Sequence, residues 1–128
     1  ITIEEEVEGR ETMIGLKQDA SLGTFIAFGS GGTYVNIFKD IAFASCPLSR
    51  KRAAELIDST KISAALDQFR GAEAVDKDQL IELLCRLSYL QHLFPEVQEV
   101  DLNPVICNGK GIHLVDVKIL LGDKDGTQ

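Results

Sequence analysis

The chain is short of positive charge and of histidine, has only three cysteines, and contains no long apolar run. Each shortage removes a class of function. Thirteen lysines and arginines against 20 aspartates and glutamates leave a formal net charge of −7, which argues against a general attraction to nucleic acid or to an anionic membrane. A phosphate-bearing ligand would need cations from elsewhere. No stretch approaches the roughly 18 apolar residues of a membrane-crossing helix. The opening "ITIEEEVEGR" is acidic where a secretory signal is basic, so the expectation is a cytoplasmic protein. Cys46, Cys85 and Cys107 are odd in number, far apart and set in apolar stretches, which predicts reduced core thiols in place of disulfides or a zinc site.

What is present is an ordinary globular composition, 45% hydrophobic and 26% charged over 128 residues, enough for one domain around one core. The chain starts at Ile1 inside a strand-like alternation, which reads as an excised fragment. Residues 1–121 are expected to be one folded unit and 122–128 a frayed polar tail. Apolar alternation predicts antiparallel strands over 1–7, 12–17 and 24–28, with two weaker strand-like runs over 34–38 and 40–45. Ser49 is placed to cap a helix whose stripe is Ala53, Leu56 and Ile57, and a short helix is expected over 61–68. Asp76 followed by Gln79 is a capping-box pattern. It opens a helix carrying Leu80, Leu83, Leu84, Leu87, Leu90 and Phe94 at helical spacing and ending before Pro95. Strand character returns in "VQEVDLNPVIC" and, after the turn "NGKG", in "IHLVDVKIL". Strands, then helices, then strands predict an α+β fold with a mostly antiparallel sheet packed against helices.

The last hairpin carries polar groups where a buried strand would be apolar. Two registers compete. A two-residue turn at Asn108-Gly109 sets Asp101 against Asp116. A loop at Gly109-Lys110, or over 108–111, sets Asn103 against Asp116 and Asp101 against Lys118. The second is favoured, because like charges directly opposite are destabilising unless a cation separates them. It gathers Val100, Leu102, Pro104, Val115, Val117 and Ile119 on one apolar face. An amide oxygen and a carboxylate side by side suit Mg²⁺, which takes one or two protein ligands and fills its octahedron with water and phosphate oxygens. The same residues also fit a solvated sheet face with an Asp–Lys pair.

"EVDLNPV" with "HLVDVK" resembles the "ELDINPL … VDARI" segment of ADP-forming acyl-CoA (acetyl-CoA) synthetases, relatives of the succinyl-CoA synthetase beta subunit built on an ATP-grasp fold. "EGRETMIGLKQDASLG" is similar to that family's "GREVIVGVxRDPQFG", "AFGSGG" to "MFGLGG", and "VNIFKDIAFASCPLS" to "VELLKDVAFRLAPLS". The matches run in order over residues 4–119. The resemblance implies the second, Mg²⁺-binding subdomain of an ATP-grasp domain, with ATP and Mg²⁺ as cofactors. The implied ligase turns ATP, an acyl acid and CoA into acyl-CoA, ADP and phosphate. It implies as partners the other ATP-grasp subdomain and the CoA-binding domains of a larger protein, with no nucleic acid and no membrane, and an inactive fragment in isolation. By the same resemblance Asn103 and Asp116 bind the metal, while Arg10, Glu11 and the glycines Gly29, Gly31 and Gly32 lie on the nucleotide-phosphate side. The family's phosphohistidine belongs to the CoA-binding portion, so neither His92 nor His113 is expected to be catalytic.

Three positions depart from the family: Gln18 and Ala44 each stand where it has Arg, and Asn36 where it has Glu. These neutral replacements motivate an alternative function, a non-catalytic nucleotide-sensing or regulatory module of the same fold, as in acetyltransferase-fused relatives.

Overall fold

The computed structural model describes residues 9–31, 40–67 and 75–122. The strand expected over 1–7, the run 34–38, Asn36 and most of the expected tail lie outside them. The sheet strands are β1 (Arg10–Asp19), β2 (Gly23–Ser30), β3 (Ile41–Ser45), β4 (Val97–Asn108), β5 (Gly111–Leu114) and β6 (Val117–Leu121). Between β3 and β4 come the helices α1 (Arg50–Asp58), α2 (Ile62–Asp67), α3 (Lys77–Ser88) and α4 (Leu90–Leu93). The sheet order is β3-β2-β1-β4-β5, with β6 also on β4, and all these pairings are antiparallel. The expected α+β architecture is what forms.

Local chemistry accounts for the boundaries. Asp19 ends β1 because its carboxylate accepts the amides of Ser21 (2.8 Å) and Leu22 (2.9 Å), and Gly23 takes a φ of 83° that other residues rarely adopt. Ser49 caps α1 by accepting from the Arg52 amide at 3.1 Å, and Ala53, Leu56 and Ile57 are its buried residues.

The long helix expected up to Pro95 is instead two pieces separated at Tyr89. Ser88 breaks the apolar stripe: its hydroxyl donates to the Cys85 carbonyl at 2.7 Å and accepts the Leu48 amide at 2.9 Å. Buried Gln91 then donates to the Val97 carbonyl and receives the Thr24 hydroxyl, fixing α4 to β2 and β4. Leu93 and Phe94 consequently point to solvent. Nor does the capping box close reciprocally. Asp76 accepts the Asp78 amide at 3.0 Å, and the Gln79 side chain donates to the same Asp76 carboxylate.

The helices cover one face of the sheet. Thr12, Ile14, Leu16, Ile26, Phe28, Val100, Leu102, Val105 and Cys107 are buried, with Leu56, Ile57, Leu66, Leu80 and Leu84 supplied by the helices. Each of these Val, Leu, Ile and Phe side chains contributes about 1.5–3 kcal/mol relative to exposure. The helix layer stops short of β6, whose residues are all exposed. The apolar face expected across the hairpin is therefore divided: Val100 and Leu102 are buried, while Val115, Val117 and Ile119 stand about half exposed.

Candidate functional site

Among the described residues no helix covers the opposite face of the sheet, which carries most of the candidate residues. The register there is the one the charges favoured: Asp101 pairs with Lys118, and Asn108 with Gly111 across a Gly109-Lys110 turn. Leu102–Val117 and Val105–Leu114 belong to one continuous register, which sets Asn103 opposite Asp116 and Pro104 opposite Val115. The Val115 amide donates to the Pro104 carbonyl at 3.4 Å. Val115 and Asp116 themselves interrupt the strand expected to run unbroken over 112–120, leaving β5 and β6 on either side. Pro104, which has no N–H, lies opposite that break.

A bulge aims Asn103. Along β1 and β4, Thr12 pairs with Val105 but Ile14 with Leu102, so Met13 faces two residues, Asn103 and Pro104. The extra residue moves β4 from one alternation to the other. Glu99, Asp101 and Asn103 thus lie on the open face, while Val105 and Cys107 return to the core.

Gly31 completes the arrangement from β2. A side chain there would have its Cβ 3.1 Å from the Asn103 carbonyl oxygen Oδ1 and inside the backbone carbonyl of Thr12. The Gly31 amide donates to the Glu11 carbonyl at 2.9 Å, holding this bare backbone against the end of β1. Beside the group is a depression of about 230 Å³ lined by Gly15, Lys17, Phe25, Ala27, Phe43, Glu99 and Asp101. Phe25 and Phe43 meet edge to face with centroids 6.1 Å apart.

The structure brings Glu11, Gly29, Gly31, Asn103 and Asp116 to one face of the sheet and sets Arg10 apart from them. Arg10 pairs with Cys107, on the face opposite to that of its neighbour Glu11. Gly29 has a different reason to be glycine, since a Cβ there would overlap the Asp40 backbone. Gly32 lies outside the described residues. His113 faces Ile106 in the ladder, with Nε2 3.4 Å from the Asn108 side-chain oxygen, and His92 lines a separate groove of about 460 Å³ on the helix side. Gln18 lines that same groove, and Ala44 pairs with buried Ile26, so neither replacement is on the face of Asn103.

The cysteines are free, and Cys107 lies in the core as expected, whereas Cys46 and Cys85 are only partly buried at its margin. Burial pushes the Cys107 and Cys46 thiols up to about 11. Among the described residues no three His, Cys, Asp or Glu side chains form a metal cluster. An amide oxygen and one carboxylate are nevertheless the hard-oxygen donors that Mg²⁺ accepts when phosphates and water complete its shell, and the absence of a side chain at Gly31 lets its backbone lie close beside the Asn103 oxygen. The donor set fits Mg²⁺ bound together with a nucleotide.

Sequence reasoning missed Asp40, a buried carboxylate at the base of the Ser30–Gly31 segment. Its place before an apolar run, "DIAFAS", reads as nothing more than a strand edge.

Residues 1–121 match the family model described as an ATP-grasp domain. The chain is 39% identical over 116 residues to an ADP-forming acetate–CoA ligase of Archaeoglobus fulgidus, covering 91% of this chain and 17% of that protein. It is 39% identical over 113 residues to an ADP-forming 4-hydroxybutyrate–CoA ligase of Nitrosopumilus maritimus, covering 87% of this chain and 16% of that protein. Among solved structures it is similar to an acetyl-coenzyme A synthetase of Ca. Korarchaeum cryptofilum in complex with coenzyme A and Mg-AMPPCP. The TM-score is 0.84 at 39% identity, covering 91% of this chain and 55% of that one. The chain thus spans less than a fifth of the two ligases and about half of the structural neighbour.

Proposed function

Because the chain belongs to the ATP-grasp domain family, we infer that its open sheet face holds the metal-bound phosphates of ATP. The parent would be an ADP-forming acyl-CoA synthetase that converts ATP, an acyl acid and CoA to acyl-CoA, ADP and phosphate. The observation that carries this reading is the meeting of Gly31's bare backbone with the Asn103 carbonyl oxygen, with Asp116 opposite Asn103 in the hairpin register.

The chemistry follows from charge. A chain with a formal charge of −7 repels a triphosphate unless a cation intervenes. Asn103 and Asp116 present one neutral and one anionic oxygen, the donors that would hold Mg²⁺ while leaving most of its shell to phosphate and water. When bound, Mg²⁺ neutralises charge on the transferring phosphoryl group. Gly31 keeps side-chain atoms out of the approach to Asn103. Lys118 faces Asp101 and offsets a second carboxylate close to the metal ligands, which limits repulsion of the phosphates.

The proposed partners are the other ATP-grasp subdomain, which would close over this face, and CoA-binding domains. Two relatives named for different acyl acids share this segment at equal identity, 39%. That favours a role in the nucleotide step common to both and leaves selection of the acyl acid to other parts of the protein. The enzymatic reading is preferred to the regulatory one because Gln18 and Ala44, two of the replacements behind the alternative, are on the helix side of the sheet. Steady-state acyl-CoA formation by the full-length protein, with and without Mg-ATP, tests the function. Turnover that depends on Mg-ATP is expected, and none with any acyl acid would overturn it.

A further inference from the structure

Asp40 is 7% exposed, outside the group of residues proposed to meet the nucleotide, and accepts hydrogen bonds from two directions. Oδ2 takes the Ser30 hydroxyl at 2.9 Å and the Ile62 amide at 2.8 Å, and Oδ1 takes the Lys61 amide at 2.7 Å. Its backbone carbonyl accepts the Ser30 amide at 2.9 Å. Ser30 is therefore held by both its backbone and its side chain. The next residue is Gly31, whose amide is bound to the Glu11 carbonyl and whose missing Cβ would come 3.1 Å from Asn103 Oδ1.

This connectivity is more than core filling. Burying a carboxylate is costly unless its oxygens are satisfied by donors. Here the donors come from the end of β2 on one side and the first turn of α2 on the other. An apolar residue could fill the volume but could not fix Ser30 relative to α2. Asparagine has one acceptor oxygen and would turn an NH₂ group toward one of the three donors.

We propose that Asp40 is a positioning residue, which ties the end of β2 to α2 so that the Gly31 backbone stays beside Asn103 in a geometry that admits metal-bound phosphate. The proposal rests on the nucleotide reading above. Asp40 touches neither nucleotide nor metal itself, so its loss moves the metal-nucleotide affinity through Ser30–Gly31.

The test uses the full-length protein and the variants Asp40→Asn, Ser30→Ala and Ser30→Thr. Half-saturating Mg-ATP, kcat and the KM values for CoA and the acyl acid are measured for each. Amide hydrogen exchange over residues 29–31 and 61–66 provides a readout independent of activity. Ser30→Ala removes one hydroxyl link and leaves the α2 amides on the carboxylate, so it keeps the test open should Asp40→Asn fail to fold. Half-saturating Mg-ATP should rise about fivefold in Ser30→Ala, the factor of one ordinary hydrogen bond, and further in Asp40→Asn. Exchange at 29–31 should quicken in both, the other two KM values should stay unchanged, and Ser30→Thr should recover most of the loss. A working wild type alongside variants whose half-saturating Mg-ATP stays within about twofold of it, with only the active fraction or melting temperature reduced, would overturn this inference alone. A wild type without Mg-ATP-dependent turnover would remove the proposed function and the inference with it.

Discussion

Replacing Gly31 by alanine tests the packing at the candidate site by adding a single methyl group. The new Cβ would overlap the Thr12 carbonyl, a backbone group inside the sheet that cannot swing aside, and would stand 3.1 Å from Asn103 Oδ1. Gly31 avoids the left-handed φ range, so the cost is one of space and not of backbone angle. Relief requires the end of β2 to move away from β1, which stretches the 2.9 Å bond from the Gly31 amide to the Glu11 carbonyl. Overpacking of this kind costs about 1–3 kcal/mol and the lost hydrogen bond about 1 kcal/mol more. For a domain of this size that is a fall of roughly 10 °C in melting temperature. Gly15→Ala is the control: its Cβ would meet nothing nearer than 3.8 Å, so the change should stay within about 0.5 kcal/mol. Thermal melting followed by circular dichroism measures both. A Gly31→Ala protein that melts within about 2 °C of the wild type would refute the argument, because the Thr12 carbonyl could not then be where the steric cost requires it.

Asp116→Ala should lower acyl-CoA formation by the full-length protein roughly a hundredfold, with partial rescue by excess Mg²⁺, because a ligand carboxylate is lost. Gln18→Ala, on the other face of the sheet, should change it by no more than the factor of one hydrogen bond; equal, Mg²⁺-independent losses would count against the metal role. The Cys46 and Cys107 thiols, pushed up to about 11 by burial from 9.0, should stay unmodified by iodoacetamide at pH 8 in the native protein and react on unfolding. Since their folded values lie above the unfolded one, their contribution to stability is fully present below pH 9 and is lost as the pH rises through about 11. Urea denaturation across that range reads the loss, and a flat profile contradicts it. Ser49→Ala should cost about 1 kcal/mol in the same assay, since it leaves the Arg52 amide without its cap.

The hairpin was legible in the sequence because charge decides its register: setting Asp101 against Asp116 is penalised, and shifting the turn sets Asp101 against Lys118 instead. The first turn of α1 was legible because Ser49 and its apolar stripe act locally. The seat of β4 between β1 and the last hairpin was not, since pairing Ile14 with Leu102 depends on contacts far apart in the chain that no local pattern encodes. The end of α3 was misread for a related reason. The leucine spacing continues past Ser88, yet the Ser88 and Gln91 hydrogen bonds to Leu48, Val97 and Thr24 overrule it. Within "GSGG" the motif does not distinguish Gly29, which clears the Asp40 backbone, from Gly31, which clears the Thr12 backbone beside Asn103. Only the three-dimensional crossing of strands separates their roles.

The most direct test of the central claim is a crystal structure of the full-length protein with a non-hydrolysable ATP analogue and Mn²⁺ in place of Mg²⁺, the metal being located by its anomalous signal. The account predicts a metal about 2.1–2.3 Å from Asn103 Oδ1 and from an Asp116 carboxylate oxygen, its remaining positions filled by phosphate oxygens and water, with Gly31 beside them. A nucleotide-bound metal held by other residues, with Asn103 and Asp116 out of reach, would contradict it.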